Sequence, residues 1–192
     1  MSSIDFATLQ SVIQQWVVTG SGLAGNQVIW GGQNSPRPTG TFIELRLTMS
    51  QMQGIDWHDN EFLSNTFTQY TRGPRKATVT MQCFDGVPGS GNTIGNRTPV
   101  SILTDVIAWA GSQSVLDALN VVCGLGSISS VTSLDGVIDQ ARYEQRALCT
   151  VEIHLASEIS EVAGYIDTVN TEVVGSDGVS TVFDQTITVS DT

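Results

Sequence analysis

Positive charge is scarce in this chain. Only 8 of its 192 residues are Lys or Arg, against 19 Asp or Glu, for a net charge of -11. After Arg146 no Lys or Arg occurs, while Glu152, Glu158, Glu161, Asp167, Glu172, Asp177, Asp184 and Asp191 follow. A surface of that sign repels phosphate backbones, which argues against a protein that grips nucleic acid. An acidic wall along which a duplex slides without sticking is compatible with it, and so is simple solubility. Cysteine is nearly as scarce. Cys83, Cys123 and Cys149 are odd in number, far apart and set among apolar neighbours, so buried thiols are predicted in place of a disulfide framework or a zinc knuckle. No apolar run reaches the length that crosses a bilayer, and the opening MSSIDFATLQ lacks the basic start and apolar stretch of a signal peptide. The expectation is a protein made inside a cell, with no membrane partner.

What is present suits one globular domain over residues 1–192, with 40% apolar content. Phe6, Leu9, Ile13 and Trp16 recur at helical spacing behind Ser3 and Asp5, predicting a capped opening helix that stops in the glycines of TGSGLAGN. Gln27 to Gly31 reads as a short extended piece ending at Trp30, and Pro36 and Pro38 turn GGQNSPRPTG into a loop. Ile43, Leu45, Leu47 and Met49 alternate with polar residues over Thr41 to Ser50, and Ala77, Val79, Met81 and Cys83 do so over Arg75 to Phe84. These are two half-buried strands that pair. Between them, 51–74 is polar and aperiodic and is expected to be a hairpin arm or long loop. Residues 86–97 form a glycine-rich loop that leads to Thr98 and Pro99, cap and first residue of a second helix whose buried stripe is Leu103, Val106, Ile107 and Ala110. Gly111 stops it, Ser114 is placed to cap a short turn before Gly124, Ile128 to Leu134 is weakly extended, and Asp135-Gly136 marks a turn. Tyr165 to Val174 and Val179 to Val189 flank Gly175-Ser176-Asp177-Gly178 as a terminal hairpin, so 172–192 extends the domain. Antiparallel or mixed strands flanked by two main helices define an α+β fold.

The longest pattern starts at Tyr143. Tyr143, Gln145, Ala147, Cys149, Val151, Ile153 and Leu155 share one face of an extended segment, which then meets the acidic break SEISE. Such a strand would be about 45 Å long at 3.3 Å per residue, against a radius of gyration of about 16 Å for a compact domain of this size. Either the sheet outgrows its subunit, or a bulge breaks the strand within a monomer.

Chemical motifs are thin. Gly20-x-Gly22-x-x-Gly25 spells a dinucleotide fingerprint, but a helix precedes it and a strand follows, the reverse of the order that places a helix dipole at a pyrophosphate. The glycines at Gly89, Gly91 and Gly95 lack the Gly-Lys-Ser/Thr ending of a phosphate-binding loop. Asp56, His58, Asp59 and Glu61 offer ligands for a divalent ion, the basis of an alternative reading as a metal-dependent hydrolase or binding module. His154 on the polar face of the long strand has no activated serine to serve. Trp30, Arg72, Arg75 and Lys76 are interface candidates, because aromatic and arginine side chains dominate contact energetics. Glu144 and Arg146 point outward and pair either across a subunit boundary or with local neighbours. No cofactor is predicted.

In order and spacing, the opening helix through Trp16, QNSPRPTGTFIELRL, VSILTDVIAWAG, and YEQRALCTVEIHL leading to YIDTVN resemble the bacteriophage neck or tail terminator family of head-tail joining proteins, over most of residues 4–171. The resemblance implies a structural virion protein at the tail-neck junction, assembled in the host cytoplasm and without catalysis. It also implies a homo-oligomeric ring, usually a hexamer, that caps the tail tube, stops its polymerisation and docks on the neck or head connector. Tail-tube and connector proteins are then the partners, with sheath too where the tail is contractile, and genomic DNA as passing cargo. Another ring-forming tube or head-completion protein shares this logic. On either reading Glu152, Glu158, Glu161 and Asp167 are candidates to face the channel.

Overall fold

The computed structural model describes residues 4–32, 36–52, 54–63, 66–85, 97–134, 136–139, 142–163, 169–174 and 180–185. Three helices accompany a mixed seven-stranded sheet in an α+β fold, as the sequence patterns require. Helix α1 spans Phe6–Ser21 and begins where Asp5 accepts hydrogen bonds from the Ala7 and Thr8 amides at 3.0 and 3.1 Å. These satisfy amide groups that a helix start leaves without partners. The Thr8 hydroxyl, which also donates to Asp5, is the main reason that the Asp5 carboxyl sits below its ordinary range. Gly22 ends α1 in the left-handed region, at φ 70°, which a glycine adopts without a Cβ clash. Helix α2, Pro99–Ala110, is capped by Thr98, and α3 spans Gln113–Asn120.

Strand β1 (Val28–Trp30) runs parallel to β2 (Phe42–Met52), with Val28 opposite Ile43 and Trp30 opposite Leu45. Strand β3 (Trp57–Leu63) pairs with β4 (Thr66–Phe84), and β2 is antiparallel to β4 from the Phe42–Phe84 pair to the Met52–Arg75 pair. Beyond β4 lies β9 (Arg146–Ala163), followed by β5 (Gly124–Ile128), with the two-residue β6 (Thr132–Ser133) also on β9. A separate ladder joins β7 (Gly136–Asp139) to β8 (Arg142–Glu144). Another joins β10 (Val169–Val174) to β11 (Ser180–Gln185), antiparallel as the hairpin reading expects.

The chain divides into two compact units. Met1–Trp57 with Arg72–Ile159 form the first, and His58–Thr71 with Ser160–Thr192 the second. The first owns the core. Ile43 and Leu45 on β2, Ala77, Val79, Met81 and Cys83 on β4, and Ala147 through Leu155 at every second position on β9 are buried together with Leu9, Ile13, Trp16 and Val17 of α1 and Ile102, Leu103 and Val106 of α2. Each large side chain fully buried there contributes about 1.5–3 kcal/mol. Period-two strands supply one wall and period-3.6 helices the other, which is the physical content of the fold.

The structure corrects several boundaries. Strand β4 starts at Thr66, not Arg75, and passes through Gly73 and Pro74. These lie just past the Met52–Arg75 pair, before the partner strand resumes as β3, so the missing proline amide falls where the ladder is already interrupted. SEISE does not break β9. Ser157 takes the buried position after Leu155 and donates to the Gly73 carbonyl at 3.1 Å, continuing the alternation in a polar letter. Ser112, not Ser114, is the residue before α3; β5 begins at Gly124, four residues ahead of the expected extended stretch. Ile102 is fully buried in α2 where Ile107 was expected to be. Asp135 and the glycine loop at 86–96 lie outside the described residues.

All three cysteines are buried thiols, as expected. Burial, aided for Cys83 by nearby Asp85, pushes the Cys83 thiol up to about 12, and burial alone takes Cys123 up to about 11. Both rise from an unfolded value of 9.0, so above that pH the unfolded chain gives up protons that the folded chain retains, and stability falls as pH rises. Each engaged thiol contributes a slope approaching about 1.4 kcal/mol per pH unit. Guanidinium melts in reductant at successive pH values above 9 should show the midpoint falling, and a Cys83→Ala, Cys123→Ala variant should show a shallower fall. Equal slopes would mean that the thiols are hydrated in the native state.

Candidate functional site

The most elaborate polar site of the first unit forms where β8 meets β9. The Glu144 side chain, 4% exposed, is held between two guanidinium groups. Arg146 donates to Oε2 from Nε at 2.8 Å and lies 2.6 Å from it through Nη2, while Arg37 donates from Nη2 to Oε1. Local sequence explains the placement. Arg37 stands between Pro36 and Pro38, whose rings favour an extended backbone on either side of it. Glu144 and Arg146 are separated by Gln145, whose carbonyl accepts from the Asp85 amide at 2.9 Å and ties the strand junction to the end of β4.

Phe42 and Phe84, the cross-strand pair that ends the β2–β4 ladder, stack beneath this clamp with ring centroids 4.6 Å apart and planes 8° from parallel. The Arg37 guanidinium carbon is 5.0 and 5.4 Å from the two centroids, and that of Arg146 is 5.1 Å from Phe84. Two cations on ring faces, sharing one buried carboxylate, are held by cation–π attraction as well as by charge-assisted hydrogen bonds. A cleft of about 290 Å³ lies beside them, lined by Ile29, Trp30, Arg37, Phe42, Glu44 and Phe84 among others. Trp30 is buried, and its Nε1 has no hydrogen-bond partner among the described residues.

The other interface candidates are engaged within the chain. Arg72 donates from Nε to Glu158 at 2.6 Å. Arg75 grips Asp56 with two bonds, at 2.6 and 2.7 Å, and the first cause of its raised pKa is that hydrogen bonding. Gly73 makes room for this pair, since a Cβ there would stand 1.7 Å from Asp56 Oδ1. Lys76 pairs with Glu152, whose carboxyl is lowered chiefly by that contact, so the attraction is lost as pH falls below the ordinary value of 4.5. Two of the acidic channel candidates, Glu152 and Glu158, are therefore partners of two of the basic interface candidates. Glu161 is exposed near the end of β9, and Asp167 lies outside the described residues.

Asp56, His58, Asp59 and Glu61 are not brought together. Asp56 serves Arg75, the His58 ring nitrogen Nδ1 is 3.0 Å from the Thr71 hydroxyl, and among the described residues no group of three or more His, Cys, Asp or Glu is gathered as a ligand set. The dinucleotide-like glycines are structural. Gly20 lies where α1 crosses α2, Gly22 ends α1, and Gly25 opens a short 3-10 turn. His154 is 3.5 Å from Glu152.

What these elements define is an α+β protein whose most elaborate polar site joins two guanidinium groups, one buried carboxylate and a stacked pair of rings. Within that class, the chain belongs to the phage neck terminator protein family, whose model matches residues 7–179. No curated protein matches it. Membership makes it a structural bacteriophage protein of the tail-neck region of the virion, one that meets other tail and head proteins. Among the described residues no helix is long and apolar enough to cross a membrane. Sequence reasoning singled out Glu144 and Arg146 but set both outward with Gln145 inward, whereas the strand is interrupted at Gln145, which is exposed, and Glu144 is buried; it missed Arg37, Phe42 and Phe84. The available signals were an arginine fixed between two prolines and a phenylalanine at the outer end of each alternating strand.

Proposed function

We propose that six copies of this chain form a ring that sits on the last ring of the tail tube, stops its polymerisation and presents a docking face to the neck or head connector, with genomic DNA passing through the centre. The observation that carries this reading is the sheet, which ends at β1 on one side and β5 on the other with no described strand covering either edge. An edge filled by a different surface of the neighbouring copy gives a heterologous interface, and such an interface closes into a ring when its rotations return to the start. The chain acts as one terminator domain, with 51–74 and 86–97 as insertions and 172–192 as an extension. Trp30, Arg72, Arg75, Lys76, Glu144 and Arg146 lie on or beside its contact surfaces. Glu152 and Glu158, already neutralised by Lys76 and Arg72, offer the duplex ion pairs, and Glu161 and Asp167 offer net negative charge, so that the genome slides past without adhering. The role requires no catalysis, and sheath is a further partner where the tail is contractile.

Purified protein added to growing tail tubes tests the proposal. Tubes should cease to lengthen, with the added chain at one end in electron micrographs. Continued growth, or incorporation of the chain along the tube, would overturn it.

A further inference from the structure

We propose that the cleft beside Arg37 and the outer edge of β1 receive the β10–β11 hairpin of a second copy of this chain, with a hairpin carboxylate completing the charge of the two-arginine clamp. The inference rests on the ring reading and gives it a specific joint. Its first support is charge stoichiometry. Arg46, Arg72, Arg75, Lys76 and Arg97 each face a carboxylate of their own, respectively Glu44, Glu158, Asp56, Glu152 and Asp105. Glu144 serves two guanidinium groups, so within the clamp two cations share one carboxylate. Arg37, with 53% of its side chain exposed, presents its charge outward.

The surroundings fit an extended acidic segment. Phe42 and Phe84 give the cleft an aromatic wall under the cation, and Trp30 lines it with a buried indole nitrogen that lacks a partner among the described residues. Ile29 and Arg37 also line an adjoining hollow with Pro36, Pro38 and Thr39. Strand β1 ends the sheet there; Gln14 of α1 donates to the Val28 carbonyl at 2.7 Å, so an incoming strand meets the edge at Trp30, beside the cation.

The chain itself contains the matching segment. Val169–Gln185 carries Glu172, Asp177 and Asp184 and no Lys or Arg, and its two strands form a six-pair antiparallel ladder. Asp184 is paired with Asn170, two residues before Glu172, so positions 172 and 184 fall on the same face of that ladder and give it two acidic positions. A charge pair across such a joint fixes register and excludes wrong partners more than it adds affinity.

The test uses the full-length chain with exposed Thr39 replaced by the photo-crosslinker p-benzoylphenylalanine, mixed as equal parts ¹⁴N- and ¹⁵N-labelled protein and analysed by mass spectrometry after illumination. The expected result is crosslinks from position 39 to residues 169–185, half of them joining chains of different label. Glu172→Lys with Asp184→Lys, changes outside the core of the first unit, should lower that yield at least tenfold, and adding Arg37→Glu should restore part of it. Crosslinks confined to single-label products, crosslinks to another region, or a yield indifferent to the charge changes would each overturn the proposal. Native mass spectrometry of the same samples separates the two readings: rings that persist while the crosslink lies elsewhere sink only the hairpin joint, whereas single copies throughout sink the ring as well.

Discussion

Replacing Gly20 with valine is expected to cost about 3 kcal/mol or more of stability, because α1 and α2 cross at that residue with no room for a side chain. A Cβ built on Gly20 stands 2.8 Å from the Val106 Cα and 3.2 Å from the Trp109 Cβ. The nearer atom is backbone, so no rotamer change relieves the contact and the helices must separate. Separation stretches the buried hydrogen bond from Trp16 Nε1 to the Val106 carbonyl, 3.0 Å long. It also loosens the packing of Leu9, Ile13, Ile102 and Leu103, which interlock in one core. Alanine at the same site should cost less. It meets the same 2.8 Å contact but recovers about 1 kcal/mol of helix propensity relative to glycine, leaving a net loss of about 1 kcal/mol. Urea melts followed by tryptophan fluorescence measure both variants. An alanine variant more stable than the parent would show that the crossing tolerates a methyl group and that propensity decides.

That prediction also shows where sequence reading succeeded and where it stopped. The cap at Asp5, the stripe through Trp16 and the stop at Gly22 were legible because each is local: the residues that satisfy one another lie within a few positions. The alternation on β2, on β4 from Arg75 to Phe84 and on β9 from Ala147 was legible for the same reason, since a strand half buried on one face writes its environment into every second residue. The first half of β4 was not legible. Thr66 to Pro74 has no apolar period, and Gly73-Pro74 reads as a break; it is strand because β3 pairs with it and because Ser157, 84 positions away, donates to the Gly73 carbonyl. The Gly20 triplet resembled a phosphate-binding turn because close backbone approach demands glycine whether the neighbour is a phosphate or another helix.

The clamp was half legible for a related reason. Glu144 and Arg146 lie two residues apart in sequence, and pairing between local neighbours was one of the two readings open to them. Their third partner was invisible, because Arg37 is 107 positions from Glu144 and is brought to it only by tertiary folding. The basic trio Arg72, Arg75 and Lys76 looked like charge awaiting a neighbour. The fold gives those residues Glu158, Asp56 and Glu152, two of them carboxylates on β9 that had been weighed separately as a channel wall. A one-dimensional reading sees two oppositely charged populations where the structure has ion pairs.

Removing the clamp's partners in different combinations should give an order of stabilities that hydrogen-bond counting alone does not. Arg37→Ala leaves Glu144 with Arg146 and should cost about 1 kcal/mol, since Arg37 is largely solvated. Glu144→Ala removes charge-assisted bonds to both arginines, which then return partly to water, for about 2–3 kcal/mol. The largest loss belongs to Arg37→Ala with Arg146→Ala, about 3–5 kcal/mol, because a carboxylate 4% exposed is left buried with no counter-charge. Replacing all three residues, as Arg37→Met, Glu144→Leu and Arg146→Met, should return stability to within about 1 kcal/mol of the parent, since apolar groups of similar volume avoid the desolvation that the ions incur. Guanidinium denaturation of the four variants checks the order, and a double-arginine variant no less stable than Arg37→Ala would mean that the carboxylate is hydrated. The triple variant then separates two roles: if the clamp serves assembly, as the hairpin joint requires, it should fold as well as the parent and yet fail to form rings. Parent-like stability without rings would mean that the carboxylate positions its arginines for a partner and not for the fold.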